Sequence, residues 1–508
     1  MGIIAKQSIK GTIVTYLGVA VGFVTTFFVI TRFLSAEDIG LARVMIDAAT
    51  LFIGLAQLGT SASIMRFYPY FVSFSPKDGL SAQRSNNEHG FFFWTIVVPM
   101  VGFLLVALLF MVCYAPLSEW FGEKSPLFVN YYYLVLPLAF FMLYQTVFET
   151  NANVRMRIVF PRAVRELLTR VGLLAVYLLY AFDVVTTDGF VWSLVGVYAV
   201  AALCNTVYLF SLGGVSLKPD FAYLRQNPGI VRKYLLYTAF LVLSAVVSVL
   251  APTLSSFFIT AQMGLSYTGI FAIATYMAMM VSIPYRSLTA IAAPQLSLAI
   301  KHDDREQISH QLTQVSGNLL LIGGLILALM WVNIDLIFAI LPNGATYAVA
   351  RRTVLLLGIG QLCVATFQFT VTALSYSRYY PFTLLFSLVL TILALLLNNL
   401  FIPRWGIDGA ALATLTAQVS YYLIALITVR LALGSRIFTR RHLLTILLLV
   451  LLFAANALCL RYLPVGTIWL SSLLRTLLVV AVAALAYQWR ISPEINEYIH
   501  ALFHRIRL

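Results

Sequence analysis

Runs of about twenty apolar residues, parted by short polar turns, recur along the whole chain. A helix needs about 20 such residues to cross the hydrocarbon of a bilayer. On that measure the pattern predicts fourteen spans, at 11–34, 40–65, 91–114, 128–150, 164–182, 189–212, 234–258, 265–294, 313–341, 353–376, 382–402, 406–429, 443–460 and 466–488. The longest outer loop falls at about residues 115–127 and the longest inner one at about 66–90, so no separate soluble catalytic domain fits between spans. Beyond the last span, Ile495, Ile499, Leu502 and Ile506 share one helical face, with Arg505 and Arg507 elsewhere. That spacing predicts a cytoplasmic interfacial helix over 491–508.

Two stretches resemble each other. Phe27-Phe28-Val29-Ile30-Thr31 is followed by Leu34-Ser35 and Gly40, and Phe257-Phe258-Ile259-Thr260 by Leu265-Ser266 and Gly269. The first opens span 2 and the second opens span 8. Six spans separate them, an even number, so both copies share one orientation. The implied architecture is all-α and polytopic, with two six-helix bundles in a parallel pseudo-twofold repeat plus two extra helices. The expected organisation is an N-terminal bundle over 1–212, a cytoplasmic linker over 213–233, a C-terminal bundle over 234–430, two further spans over 431–490 and the tail over 491–508. Like-oriented bundles suit an alternating-access transporter.

Composition removes whole classes of function. Hydrophobic residues make up 61% of the chain and charged ones 10%, against about 45–50% and about 25% in soluble proteins. Water-soluble enzymes and nucleic-acid-binding domains are excluded. The surplus of positive charge is positional: 25 of the 33 Lys and Arg fall on the side that carries both termini, which predicts cytoplasmic termini. The first span follows Lys6 and Lys10, is longer than a signal-peptide core and has no small-residue cleavage site after it, so it is read as a retained span. Cys113, Cys204, Cys363 and Cys459 lie in apolar runs without CxxC spacing and read as small hydrophobes. The six histidines fall in predicted cytoplasmic segments, which argues against a histidine proton relay or an intramembrane metal site. The chain has no P-loop, HExxH or GxSxG, and no cofactor is expected.

The most specific run is Asn399-Leu400-Phe401-Ile402-Pro403-Arg404-Trp405-Gly406-Ile407-Asp408-Gly409-Ala410-Ala411-Leu412-Ala413-Thr414. Pro403 is expected to end one span, Gly406 and Gly409 to permit a tight turn, and the alanines to let helices approach. Gly18 and Gly22 form a GxxxG in span 1, read as a packing face. The long run resembles the polysaccharide-transporter and oligosaccharide-flippase branches of the MOP (multidrug, oligosaccharidyl-lipid, polysaccharide) superfamily. So do Leu341-Pro342-Asn343-Gly344-Ala345-Thr346-Tyr347 before span 10 and Leu34-Ser35-Ala36-Glu37-Asp38-Ile39-Gly40 before span 2. The resemblance implies a flippase that carries a polyprenyl-diphosphate-linked oligosaccharide across the inner (plasma) membrane of a bacterium or archaeon, for O-antigen, capsule or exopolysaccharide assembly. Its implied partners are that glycolipid, membrane lipids, and a polymerase and other assembly proteins. A multidrug or cation exporter of the same superfamily is the main alternative, and a polysaccharide polymerase or ligase a more distant one.

Charged side chains inside spans mark candidate sites. Arg43 and Asp47 lie four apart on one face of span 2, as a structural ion pair or as a polar patch lining a cavity. Arg286 follows Ser282-Ile283-Pro284-Tyr285 in span 8, and Arg66 ends span 2. Each either snorkels to the interface or meets substrate. The resemblance implies a cationic cavity for the pyrophosphate head, which makes Arg43, Asp47, Arg286 and Arg66 the candidate substrate-binding residues. Asp47, Glu149 and Asp335 are candidates for ion or proton coupling. Arg155, Arg157, Arg162, Arg165 and Arg170 crowd the fourth and fifth spans, as a topology signal or as an attractor of anionic headgroups.

Overall fold

The computed structural model describes residues 14–15, 17–71, 88–213, 215–221, 225, 229, 232, 234, 250, 252–435, 437–462, 467–489, 492–494 and 496. Among these residues every regular element is helical. The protein is an all-α polytopic membrane protein, as its apolar periodicity predicts. Ten of the described helices are long and apolar enough to cross a membrane. Most of the predicted seventh span (234–258), much of the linker, and Ile495, Ile499, Leu502, Ile506, Arg505 and Arg507 of the tail lie outside the described residues.

The chain divides into two compact units, Met1–Gly269 and Ile270–Leu508. The first holds α1 (Leu17–Phe33, π-helical over Thr25–Ile30), α2 (Ala36–Ala56), α3 (Thr60–Phe71), α4 (Phe91–Val112), α5 (Tyr114–Gly122), α6 (Pro126–Asn130) and α7 (Val135–Val154). Then come α8 (Val159–Ala163), a π-helical stretch over Val164–Leu168, α9 (Thr169–Ala181), α10 (Thr187–Ser211) and α11 (252–263). Its core is apolar: Leu41, Val44 and Met45 of α2, Leu138, Leu143 and Val147 of α7, and Phe190, Val191 and Leu194 of α10 are fully buried. On α4, by contrast, Leu104, Leu105, Leu108 and Leu109 are exposed, as a lipid-facing surface requires.

α2 begins where the sequence places a cap. Ser35 Oγ accepts from the Asp38 amide at 3.1 Å, and Asp38 Oδ2 accepts from the Ser35 amide at 3.3 Å. This reciprocal capping box satisfies two orphan donors of the first turn. The Leu34-to-Gly40 segment is thus a helix start. The matching glycines of the two similar stretches meet: a Cβ on Gly40 would overlap the Leu265 carbonyl oxygen, and one on Gly269 would overlap that of Ala36. Each helix offers a carbonyl to the other's glycine, so the crossing reads the same from both sides. The register pairs Ala36 with Leu265 rather than Leu34 with Leu265.

The division falls inside α12 (Leu265–Met279), after its first turn. A 3-10 turn over Met280–Ser282 follows, then α13 (Ile283–Lys301), α14 (Arg305–Val332), α15 (Ile334–Ile340), α16 (Gly344–Ala348), α17 (Arg351–Tyr376), α18 (Pro381–Leu433), α19 (Arg440–Tyr462) and α20 (Ile468–Gln488). Leu296, Ile308, Leu312, Leu319, Phe369 and Ala425 join α13, α14, α17 and α18 in one core. α19 and α20 pack on α14 through Leu321, Leu448 and Ala486, and through Ala328, Leu452 and Val479.

Predicted spans 11 and 12 form the two arms of α18. The expectation that Pro403 ends the first arm is corrected: helix continues through Pro403 to Trp405, and the backbone breaks only at Gly406, with φ 58° and ψ −136°. That conformation is open to glycine. One turn later a Cβ on Gly409 would overlap the Phe401 carbonyl oxygen, so the second glycine lets the arms close on each other.

Substitution of Gly40 by Ala is expected to lower the thermal unfolding temperature of the purified protein in detergent, because two backbones must separate. Gly196→Ala in α10, where nothing lies within 4 Å of the added Cβ, should leave it equal or higher, by helix propensity of up to about 1 kcal/mol. Equal behaviour of the two variants would contradict the close crossing.

Candidate functional site

Within the first unit, polar groups gather where a helix breaks. α2 stops at Ala56, and Leu58 and Gly59 adopt positive φ before α3 begins. Broken membrane helices free backbone and side-chain groups for ligands. Gln57 donates to Ser61, and Thr150 of α7 lies 3.4 Å from the Ser61 hydroxyl. α7 carries four buried polar residues, Gln145, Glu149, Thr150 and Asn151. Gln145 Nε2 donates to Thr169 Oγ1 at 3.3 Å, and Asn151 Nδ2 to Thr95 Oγ1 at 3.2 Å.

Arg43 and Asp47 do share a face of α2, and they touch. Arg43 Nε donates to Asp47 Oδ2 at 2.8 Å, with the two side chains 18% and 9% exposed. The carboxylate fixes one edge of the guanidinium. Arg66 is exposed on α3, its guanidinium 5.8 Å from the Phe67 ring centroid. Glu149 meets Arg165, whose Nη1 lies 2.8 Å from Oε1. Arg165 also reaches Glu166, which in turn pairs with Arg170 at 3.0 Å. Arg170 Nη1 donates to the Gly18 carbonyl at 2.8 Å. The GxxxG of α1 therefore receives Glu166 and Arg170: a Cβ on Gly18 would overlap the Glu166 carbonyl, and one on Gly22 the Arg170 guanidinium.

One ion pair had no counterpart in the sequence pattern. Glu88, just before α4, takes Arg155 at the end of α7 in a fork, with Nη2–Oε2 at 2.6 Å and Nε–Oε1 at 3.1 Å. Arg155 Nη1 also donates to the Asn151 carbonyl at 2.7 Å, and Tyr68 donates to Glu88 Oε1 at 3.3 Å. Burial raises the Glu88 carboxyl above the usual range, and Arg155 draws it back. The partners stand 67 residues apart, so no helical spacing signals them. The arginine crowd is thus largely an ion-pair network, since Arg155, Arg165 and Arg170 are all matched.

Within the second unit, Arg286 is exposed on the first turn of α13, and it has no ion pair or hydrogen bond among the described residues. Pro284 sits at the helix start, where its missing N–H costs nothing, after the 3-10 turn. Asp335 opens α15 and is held by Arg351, with Nη1–Oδ1 at 2.9 Å and Nη2–Oδ2 at 3.2 Å. Arg475 of α20 lies 4.0 Å from the same carboxylate. His442, at the start of α19, is fully buried, with Nε2 2.9 Å from Ser316 Oγ and Nδ1 3.0 Å from Thr439 Oγ1. It serves as a helix–helix bridge. Among the described residues no cluster of His, Cys, Asp and Glu has the makings of a metal site.

Comparison with known proteins bears on this geometry. The model of a family described as "Polysaccharide biosynthesis protein" matches residues 4–299. None of the curated protein sequences compared with the chain matches it. The fold is similar to that of the lipid II flippase MurJ in an inward closed conformation, with a TM-score of 0.65 and 12% identity over 94% of this chain and 99% of that one. It is similar to an inward-facing multidrug resistance MATE family transporter of the MOP superfamily, with a TM-score of 0.63 and 12% identity over 82% and 94% of the two chains. A MOP superfamily transporter from Pyrococcus furiosus, described as having a binding pocket of reverse polarity, matches at 0.56, with 12% identity over 86% and 98%. At such identities the likeness is one of fold. The family match over residues 4–299 bears out the expected link to polysaccharide biosynthesis.

The Glu88–Arg155 fork should behave as a buried pair. Glu88→Gln or Arg155→Met alone is expected to destabilise the purified protein by about 3–5 kcal/mol. The double variant should lose clearly less than the sum in thermal unfolding. Additive losses would show that the two side chains act separately.

Proposed function

Because the chain belongs to the polysaccharide biosynthesis protein family, we propose that it is a flippase for a polyprenyl-diphosphate-linked oligosaccharide. It moves that glycolipid from the cytoplasmic to the outer leaflet of the inner membrane by alternating access, and it supplies O-antigen, capsule or exopolysaccharide assembly. It acts as a carrier and not as an enzyme, and its termini are cytoplasmic. The observation that carries this reading is the family match over residues 4–299.

The charges support it. Arg43 and Arg286 are the arginines assigned to phosphate oxygens of the lipid-linked substrate's head. Arginine suits this task because its planar fork makes paired hydrogen bonds to phosphate. Arg43 is held in place through Nε by Asp47, and Arg286 has no protein partner among the described residues. Arg66 meets the same head where it enters. Gln57, Ser61 and Thr150, at the break between α2 and α3, offer hydroxyl and amide groups of the kind that bind sugars. Asp47, Glu149 and Asp335 are the candidates for coupling transport to ions or protons. A cation exporter needs carboxylates open to its cargo. Here Asp47, Glu149 and Asp335 are each paired with an arginine, which favours the anionic lipid.

The test is the glycolipid profile of cells that lack the protein. Lipid-linked repeat units should accumulate on the cytoplasmic side, with surface polysaccharide lost. Normal polysaccharide with altered drug sensitivity would point to the exporter instead, and unpolymerised units in the outer leaflet to a polymerase or ligase. In cells that carry the gene, Arg43→Gln or Arg286→Gln should abolish the supply of surface polysaccharide while the protein remains in the membrane. Undiminished polysaccharide in both variants would remove these arginines from the site.

A further inference from the structure

Beside the break in α18 lies a cavity of about 490 Å³, lined by Arg352, Leu355, Leu356, Trp405, Asp408 and Leu412. This is within the range of small-molecule sites. Arg352, Leu355 and Leu356 share one face of the first two turns of α17, Trp405 ends the first arm of α18 at the break, and Asp408 and Leu412, four apart, share a face at the start of the second arm. Thr353 Oγ1 donates to Asp408 Oδ1 at 2.6 Å and ties the two helix starts together. The cavity is graded as a result. Its charged groups stand at the helix starts, and its leucines lie about 5–6 Å further along, at 1.5 Å per residue.

The two adjacent arginines differ. Arg351 is engaged by Asp335 and lies 5.4 Å from the Trp331 ring centroid. Arg352 is exposed, with no ion pair or hydrogen bond among the described residues. Arg404, next to Trp405 in the chain, is likewise exposed and without such a partner. The one carboxylate of the cavity, Asp408, already accepts the Thr353 hydroxyl. The helix-start end of the cavity therefore carries the cation of Arg352, leucines line it further along, and Trp405, 52% exposed, lies at the break beside the charged end.

We propose that this crevice is a binding site for an anionic phospholipid of the surrounding membrane. The phosphate is held by Arg352, with Arg404 adding charge, and one acyl chain lies along Leu355, Leu356 and Leu412. Trp405 stands at headgroup level. A glycan would demand more hydrogen-bonding groups than the three leucines leave. The site is independent of Arg43 and Arg286, and it would exist whatever the protein carries.

The experiment exchanges the purified full-length protein in detergent with phosphatidylglycerol or phosphatidylcholine and counts retained lipids by native mass spectrometry. Phosphatidylglycerol should be retained in preference. Arg352→Gln should lower its retention about five-fold, as expected for one basic residue near an anionic headgroup. Trp405→Ala should lower it further, and Arg352→Lys should keep part of it. Arg430→Gln, which removes an exposed arginine at the other end of the same arm, should change nothing. Equal retention of the two lipids, an unchanged Arg352→Gln, or an equal loss in Arg430→Gln would each overturn the proposal. So would preferential retention of polyprenyl phosphate offered in the same exchange.

Discussion

Hydrocarbon offers no hydrogen bonds, so a chain that lives in it must satisfy its own backbone. Most of this structure follows from that constraint. It makes every described regular element helical, and it places chain breaks where protein groups can serve the freed donors and acceptors. The capping box at Ser35 and Asp38 closes one helix start. The break after α2 is surrounded by Gln57, Ser61 and Thr150. The break in α18 is confined to a single glycine.

The same economy governs charge. An ion in a membrane protein is tolerated when it is paired or when it has a task. Arg155, Arg165, Arg170 and Arg351 all have carboxylate partners, so part of what reads as positive charge in the sequence is neutralised locally. What remains stands out by contrast. Arg286, Arg352 and Arg404 of the second unit are exposed and have no such partner among the described residues. The family match and the likeness to MurJ and MATE folds agree on the framework.

The second half of the chain shows how one motif can serve two ends. The run around Gly406 and Gly409 builds a tight reversal, and in doing so it sets Trp405 and Asp408 beside the start of α17. A segment that reads as pure architecture thus lines a cavity.

The all-α, membrane-spanning class was legible in the sequence because apolar run length is a local property, read within twenty residues. So were the Arg43–Asp47 pair, whose i,i+4 spacing is also local, and the membership of the family, whose motifs are contiguous. The tertiary structure alone decided the rest. It carried helix past Pro403 to Gly406, it set Ala36 against Leu265 across the Gly40–Gly269 crossing, and it joined Glu88 to Arg155 and His442 to Ser316. All but the first depend on groups far apart in the chain approaching within contact distance. Packing selects such partners from many equivalent candidates, and no periodicity in the sequence distinguishes them beforehand.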